Sequence, residues 1–410
     1  MAKHLLFIRG IYDTIDLFIT AFAESFRRQG CECFVLDAGD PAKLETDLKN
    51  LLENIGIDAV ITFNNIGYNL CISGGENVWE QQGIPFVDIL MDHPFHYDRA
   101  LRRLPQTTVL YVTDKNHVRY VKRFYPDIHQ VEFMPHAGME ADITVPADPG
   151  SCLLCTDGAA EHPKITERPI EVLYAGGLSR YVAEGLVPDL GEIREFDAFE
   201  LTQQVLGELM RHPEMTTEDA IERYFQAIGK KFEPQQLCRY ITELRFLDSY
   251  ATSFYREQAV RILVEHGIPV TVFGGGWEQC EWAEHENLHY GGKVPAPQVL
   301  ELMNHSRIVL NSMTWYKNGI HDRIINGMLA KALIVTDTSV YLDETFPKGE
   351  DRVAETFRLT QIEALPELVR ECLAHPDVMQ ETAERGYGFA RANHTWKQRA
   401  VQVLADLADM

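Results

Sequence analysis

Lys317, His321 and Arg323 surround Gly319, just ahead of residues 320–330, whose apolar spacing predicts a helix. A helix opening at Gly319 would offer unpaired N–H groups and the positive end of its dipole, and both favour an anion. Arg323 can hold two oxygens of one phosphate, while Lys317 and His321 would add charge at the same turn. A diphosphate suits that turn. The plain alternatives are a surface ion pair for Arg323 and a capping role for His321.

Two further sets of residues could do chemistry. Gly176-Gly177 and Gly274-Gly275-Gly276 each follow a short apolar run, where glycine permits positive φ and close approach of a nucleotide. They also read as simple tight turns. Arg180 is a candidate phosphate or ribose contact, whereas Arg256 adjoins a charge-rich helical stretch and is set aside. Elsewhere, Asp92-His93-Pro94-Phe95-His96 and Pro135-His136 bring a carboxylate and imidazoles to the ends of apolar runs. Asp92 or His93 could take a proton from an attacking hydroxyl, and Pro94 holds His93 extended. His136 reads equally as a satisfied core histidine.

The elements that must position these groups follow from the pattern. Apolar runs at 5–8, 33–36, 59–63, 86–90, 109–112 and 131–133 alternate with helical periodicity, which predicts a parallel sheet covered on both faces. A second series runs through 170–175, 270–273, 288–290, 308–310 and 333–336. The fold class is therefore α/β, with two Rossmann-like domains facing a cleft. The expected boundaries are 1–145, a Pro-, Gly- and Asp-rich linker at 146–168, a second domain at 169–390 with a helical insertion at about 182–250, and a closing helix at 391–410 that packs back toward the first domain.

With 38 Lys and Arg against 61 Asp and Glu, the net charge is −23 at pH 7, which repels phosphate backbones and anionic lipid. Nucleic acid and membrane surfaces are excluded as expected partners. Arg9 interrupts the first apolar run and no stretch reaches the length of a membrane span, so a soluble cytoplasmic protein is expected. The eight cysteines form no dense framework. Cys152 and Cys155 have zinc-knuckle spacing but lack a second such pair.

The segment NSMTWYKNGIHDRIINGMLAKALIVTDTSVYLDETF at 311–346 resembles the donor-binding core of GT-B glycosyltransferases, in particular a CgeB-like branch related to the group 1 enzymes. VLYAGG at 172–177, VTVFGGGW at 270–277 and LHYGGKV at 288–294 fall where that fold places successive strands of its C-terminal domain. His394-Thr395-Trp396 with Arg399 looks like the family's closing helix. The resemblance covers about residues 165–410, with the N-terminal half similar in architecture.

The resemblance implies transfer of a sugar from a nucleoside diphosphate sugar to an unidentified acceptor, with retention slightly favoured and neither a cofactor nor a catalytic metal. It places Lys293 and Val294 beside the base. Where group 1 enzymes carry two glutamates, this chain has Asn318 and Asn326, whose amides can bond ribose but carry no charge. Glu344 could supply a ribose or sugar contact instead. The alternatives are a nucleotide-sugar epimerase of the same architecture and a nucleotide-sugar-binding protein without turnover.

Overall fold

The computed structural model describes residues 3–11, 13–71, 75–139, 162–178, 188–313 and 316–408. The chain divides into two units, one of residues 1–161, 295–297 and 390–410, the other of residues 162–294 and 298–389.

The first unit is built on β1 (His4–Arg9), β2 (Glu32–Asp37), β3 (Ala59–Phe63), β4 (Phe86–Leu90), β5 (Thr108–Val112) and β6 (Gln130–Phe133). All pairs are parallel, in the order β2-β1-β3-β4-β5-β6. Every residue of β3, β4 and β5 is buried, and these strands are apolar apart from Thr62, Asp88 and Thr108.

The unit is completed from the far end of the chain. Thr395 and Gln398 form a capping box that starts the helix Trp396–Asp406. Trp396 is buried with its ring 5.3, 5.1 and 5.7 Å from those of Phe18, Phe22 and Phe63. Tyr111 Oη donates to Asp406, and Lys3 Nζ donates to the Leu407 carbonyl.

The second unit carries β7 (Ile170–Ala175), β8 (Val270–Phe273), β9 (Leu288–Tyr290), β10 (Ser306–Asn311), β11 (Leu333–Asp337) and β12 (Glu355–Phe357), ordered β12-β11-β10-β7-β8-β9 and again parallel. β12 is not legible as an apolar run, because its three residues are Glu355, Thr356 and Phe357. Between β7 and β8 stand the helices Ala198–Arg211, Thr217–Ala227, Pro234–Glu243 and Phe246–Glu265. Phe196, Phe225, Phe232 and Tyr240 pack edge to face among them, with Phe225 and Phe232 at 4.8 Å and Phe196 and Tyr240 at 5.1 Å.

The winding of each sheet reverses once. In the first sheet β1 and β3 are neighbours and in the second β7 and β10, so the loops after those strands diverge and leave a crevice at their carboxyl ends. Those ends are where functional side chains collect. No helix among the described residues is long and apolar enough to cross a membrane.

Candidate functional site

Arg323 sits at the reversal of the second sheet. Its Nε donates to the Ala175 carbonyl at the end of β7 at 2.5 Å, and its Nη1 to Asn311 Oδ1 at the end of β10 at 2.6 Å. The guanidinium lies 5.0 Å from the Tyr174 ring centre, and the residue is 7 % exposed. Its principal bonds therefore tie together the carboxyl ends of these two neighbouring strands. Burial lowers its pKa, yet arginine stays charged at this site.

The helix expected over residues 320–330 begins later, as Asp322–Leu329. His321 is extended (φ −90°, ψ 142°) and acts as its N-cap, with Nδ1 3.1 Å from the Arg323 N–H and 2.7 Å from Asp322 Oδ1. A single Nδ1 can accept from the first or donate to the second, not both. Burial, followed by the neighbouring Arg323 cation, lowers the His321 pKa, which favours the neutral ring. Asn326 is buried on the same helix, its Nδ2 3.3 Å from Asp322 Oδ2.

The glycine turns lie against each other. Gly274 has φ +125°, and a Cβ there would stand 2.5 Å from the Gly177 nitrogen; one on Gly176 would stand 2.7 Å from Arg323 Nη2. Gly176 N–H donates to the Phe273 carbonyl and Leu178 N–H to the Gly275 carbonyl, both at 2.8 Å. Close packing of β7 and β8 thus accounts for these residues. Lys293 lies over Gly275, where a Cβ would meet its Cε at 2.3 Å, and the adjoining Val294 is half-buried. Arg256, set aside on sequence grounds, donates through Nη1 to the Gly177 carbonyl and lowers the pKa of both His321 and Arg323. Its signal was one charge among several on the long helix Phe246–Glu265, which spacing alone does not distinguish from a solvated one.

Lys317 Nζ donates to the Pro213 carbonyl at 2.5 Å. The 317–319 turn, which includes Asn318, docks on the helix Val340–Thr345. Ser339 Oγ donates to the Gly319 carbonyl at 2.7 Å, and Val340 N–H to the Lys317 carbonyl at 3.0 Å. Glu344 is exposed on that helix. Arg180, Cys152 and Cys155 lie outside the described residues.

Both units repeat one device that was not anticipated. Asp337, at the end of β11, accepts the Met313 N–H at 2.7 Å; Asp88, in β4, accepts the Asn65 N–H at 3.0 Å. Each amide lies two residues past a neighbouring strand. Burial pushes both carboxyls up to about 7.

In the first unit, Asp92 Oδ2 accepts from Tyr97 Oη at 2.7 Å and lies 3.4 Å from Asn64 Nδ2. Asn64 and Asn65 are both left-handed (φ 50° and 61°), a conformation asparagine tolerates, and Asn64 Oδ1 accepts the Met91 N–H at 2.8 Å. His93 Nδ1 caps the following turn by accepting the Phe95 N–H at 3.2 Å, which puts its proton on Nε2 and leaves no lone pair to take another. Its ring is 4.4 Å from that of His117, and burial holds both pKa values down, His117 to about 3. Asp92 is therefore the better-placed base of the pair. His136 follows β6 and is buried.

Residues 256–405 match the family described as Glycosyl transferase-like. No curated protein matches the chain in sequence. Among solved structures, sucrose-phosphate synthase from Thermosynechococcus elongatus is similar at 11% identity, with 99% of this chain and 98% of that one covered and a TM-score of 0.54. HepE of Anabaena, in complex with UDP and glucose, is similar at 11% identity over 99% of each chain with a TM-score of 0.52. An alpha-glucosyltransferase in complex with UDP and a 13-mer DNA containing an HMU base gives 11% identity over 100% of each chain, also at 0.52. The chain has the GT-B fold of these glycosyltransferases.

Proposed function

We propose that this chain transfers a sugar from a nucleoside diphosphate sugar to a hydroxyl acceptor, with the second unit binding the donor and Asp92 of the first acting on the proton. The observation that carries this reading is the Glycosyl transferase-like match, which takes in Arg256, Lys293, Arg323 and Asn326. The cations near the β7–β10 reversal suit a diphosphate, and a leaving diphosphate is stabilised by charge that is already in place. We read Lys293 and Lys317 as its contacts, with Arg323 holding the crevice open behind them. Asn318, Asn326 and Glu344 would contact ribose or sugar. Retention, kinship with the CgeB-like branch and metal-independent turnover are parts of the same proposal.

The UDP in two of the similar structures makes UDP-glucose the first donor to test, beside GDP- and ADP-glucose. Release of nucleoside diphosphate that depends on an added acceptor, and that survives chelator, supports the proposal. Interconverted donor would establish an epimerase instead, and binding without turnover a nucleotide-sugar-binding protein.

A further inference from the structure

One side chain near the end of the chain reaches the backbone on both sides of His136. Arg399 Nε donates to the Pro135 carbonyl at 2.7 Å, and its Nη2 to the His136 carbonyl at 3.1 Å. Nη1 donates to the Asn393 carbonyl at 3.2 Å, and Nη2 also lies 2.9 Å from His394 Nδ1. The His394 ring bonds in turn to the His136 backbone, while its own carbonyl accepts the Gly138 N–H at 2.8 Å. Gly138 pairs with Thr395 as an isolated parallel bridge. Arg399, His394 and His136 are 5 %, 3 % and 5 % exposed.

The segment needs this support because β6 ends at Phe133, Pro135 has no N–H, and buried carbonyls left without donors are costly. The arrangement also fixes protonation: His394 Nδ1 accepts from a cation, so its proton is on Nε2 and the ring is neutral. Trp396 and the Thr395–Gln398 capping box hold the helix in register, so the guanidinium cannot slide along the loop.

We propose that Arg399 and His394 are positioning residues for His136, clamping the main chain from which its imidazole is presented to the reacting sugar. The catalytic consequence rests on the glycosyl-transfer reading; the clamp itself does not.

The test uses the full chain with Arg399→Lys, which keeps the charge and loses the fork, and Gln402→Ala as a control. Gln402 is on the same helix but bonds the Phe133 carbonyl. Two readouts are taken after a thermal melt: the 15N-imidazole resonances of His136, assigned with His136→Gln, and UDP-glucose kinetics with UDP affinity. Arg399→Lys should move the His136 resonances and lower kcat by about 10²-fold, the scale of a misplaced reacting group. UDP affinity should hold within about twofold. Gln402→Ala should change neither. Unmoved His136 resonances in a folded Arg399→Lys variant overturn the proposal, as does an equal loss of kcat in the control. If Arg399→Lys does not fold, His394→Gln is judged by the same criteria. If the wild type does not turn over UDP-glucose, the transfer reading fails for that donor, and the clamp stands or falls on the resonances.

Discussion

Arg323 Nη1 and Asn311 Oδ1 meet at 2.6 Å at the carboxyl ends of the paired strands β7 and β10, where the winding of the second sheet reverses. A residue whose type and spacing suggested a phosphate ligand is thereby also a brace for the crevice. Arg323→Ala would leave the Asn311 and Ala175 acceptors buried without their donors and should cost about 2–4 kcal/mol of stability. Lys293→Ala should leave stability within about 0.5 kcal/mol, because Lys293 is exposed, and weaken UDP binding. Urea denaturation and calorimetric titration of both variants measure this; equal stability in the two would show that Arg323 braces nothing.

Asp92 and His93 should separate in their effects. Asp92→Asn should lower kcat by about 10²–10⁴-fold, the range for loss of a general base, with nucleotide affinity retained. His93→Ala removes a cap and a packed ring, and should chiefly lower stability, by about 1–2 kcal/mol. A normal kcat in Asp92→Asn would remove Asp92 from the chemistry and direct attention to His136.

The buried histidines make the fold acid-labile. His117 and His394 are held down to about 3, the first mainly by burial and the second by burial and the Arg399 cation. The unfolded chain takes up their protons as pH falls below about 6.5, while the folded chain does not, so stability present at neutral pH is lost as pH falls through that window. Each residue should account for a loss on the order of 2 kcal/mol between pH 7.5 and pH 5. Urea midpoints at the two pH values, for wild type and His117→Gln, test this; the variant should show the shallower decline.

Asp88 and Asp337 act in the opposite direction. Their folded-state pKa values are raised to about 7, so the stability gained from holding those protons is complete below the unfolded value near 4 and is lost as pH rises through about 7. Asp88→Asn keeps an oxygen for the Asn65 N–H and removes the titration. Its stability relative to wild type should therefore improve steadily from pH 4.5 to pH 8. A difference that stays constant over that range would mean that Asp88 does not titrate there.

The sequence by itself determined what is local. Strands buried on both faces, such as β3, β4 and β5, must be largely apolar, and so they were legible with their order in the chain despite Asp88 within β4. Asp92 was legible as a candidate at the end of such a run, Arg323 beside an expected helix start, and Lys293 through the family resemblance alone. Tertiary structure decided which charge is buried and what it holds. Arg323 and the Ala175 carbonyl it bonds are 148 positions apart, and Arg399 and His136 are 263 apart. Periodicity extends over one helix or strand and cannot register pairings of that span. Whether an arginine meets solvent, a phosphate or a backbone carbonyl depends on which strands become neighbours, and that is settled only when the sheets close.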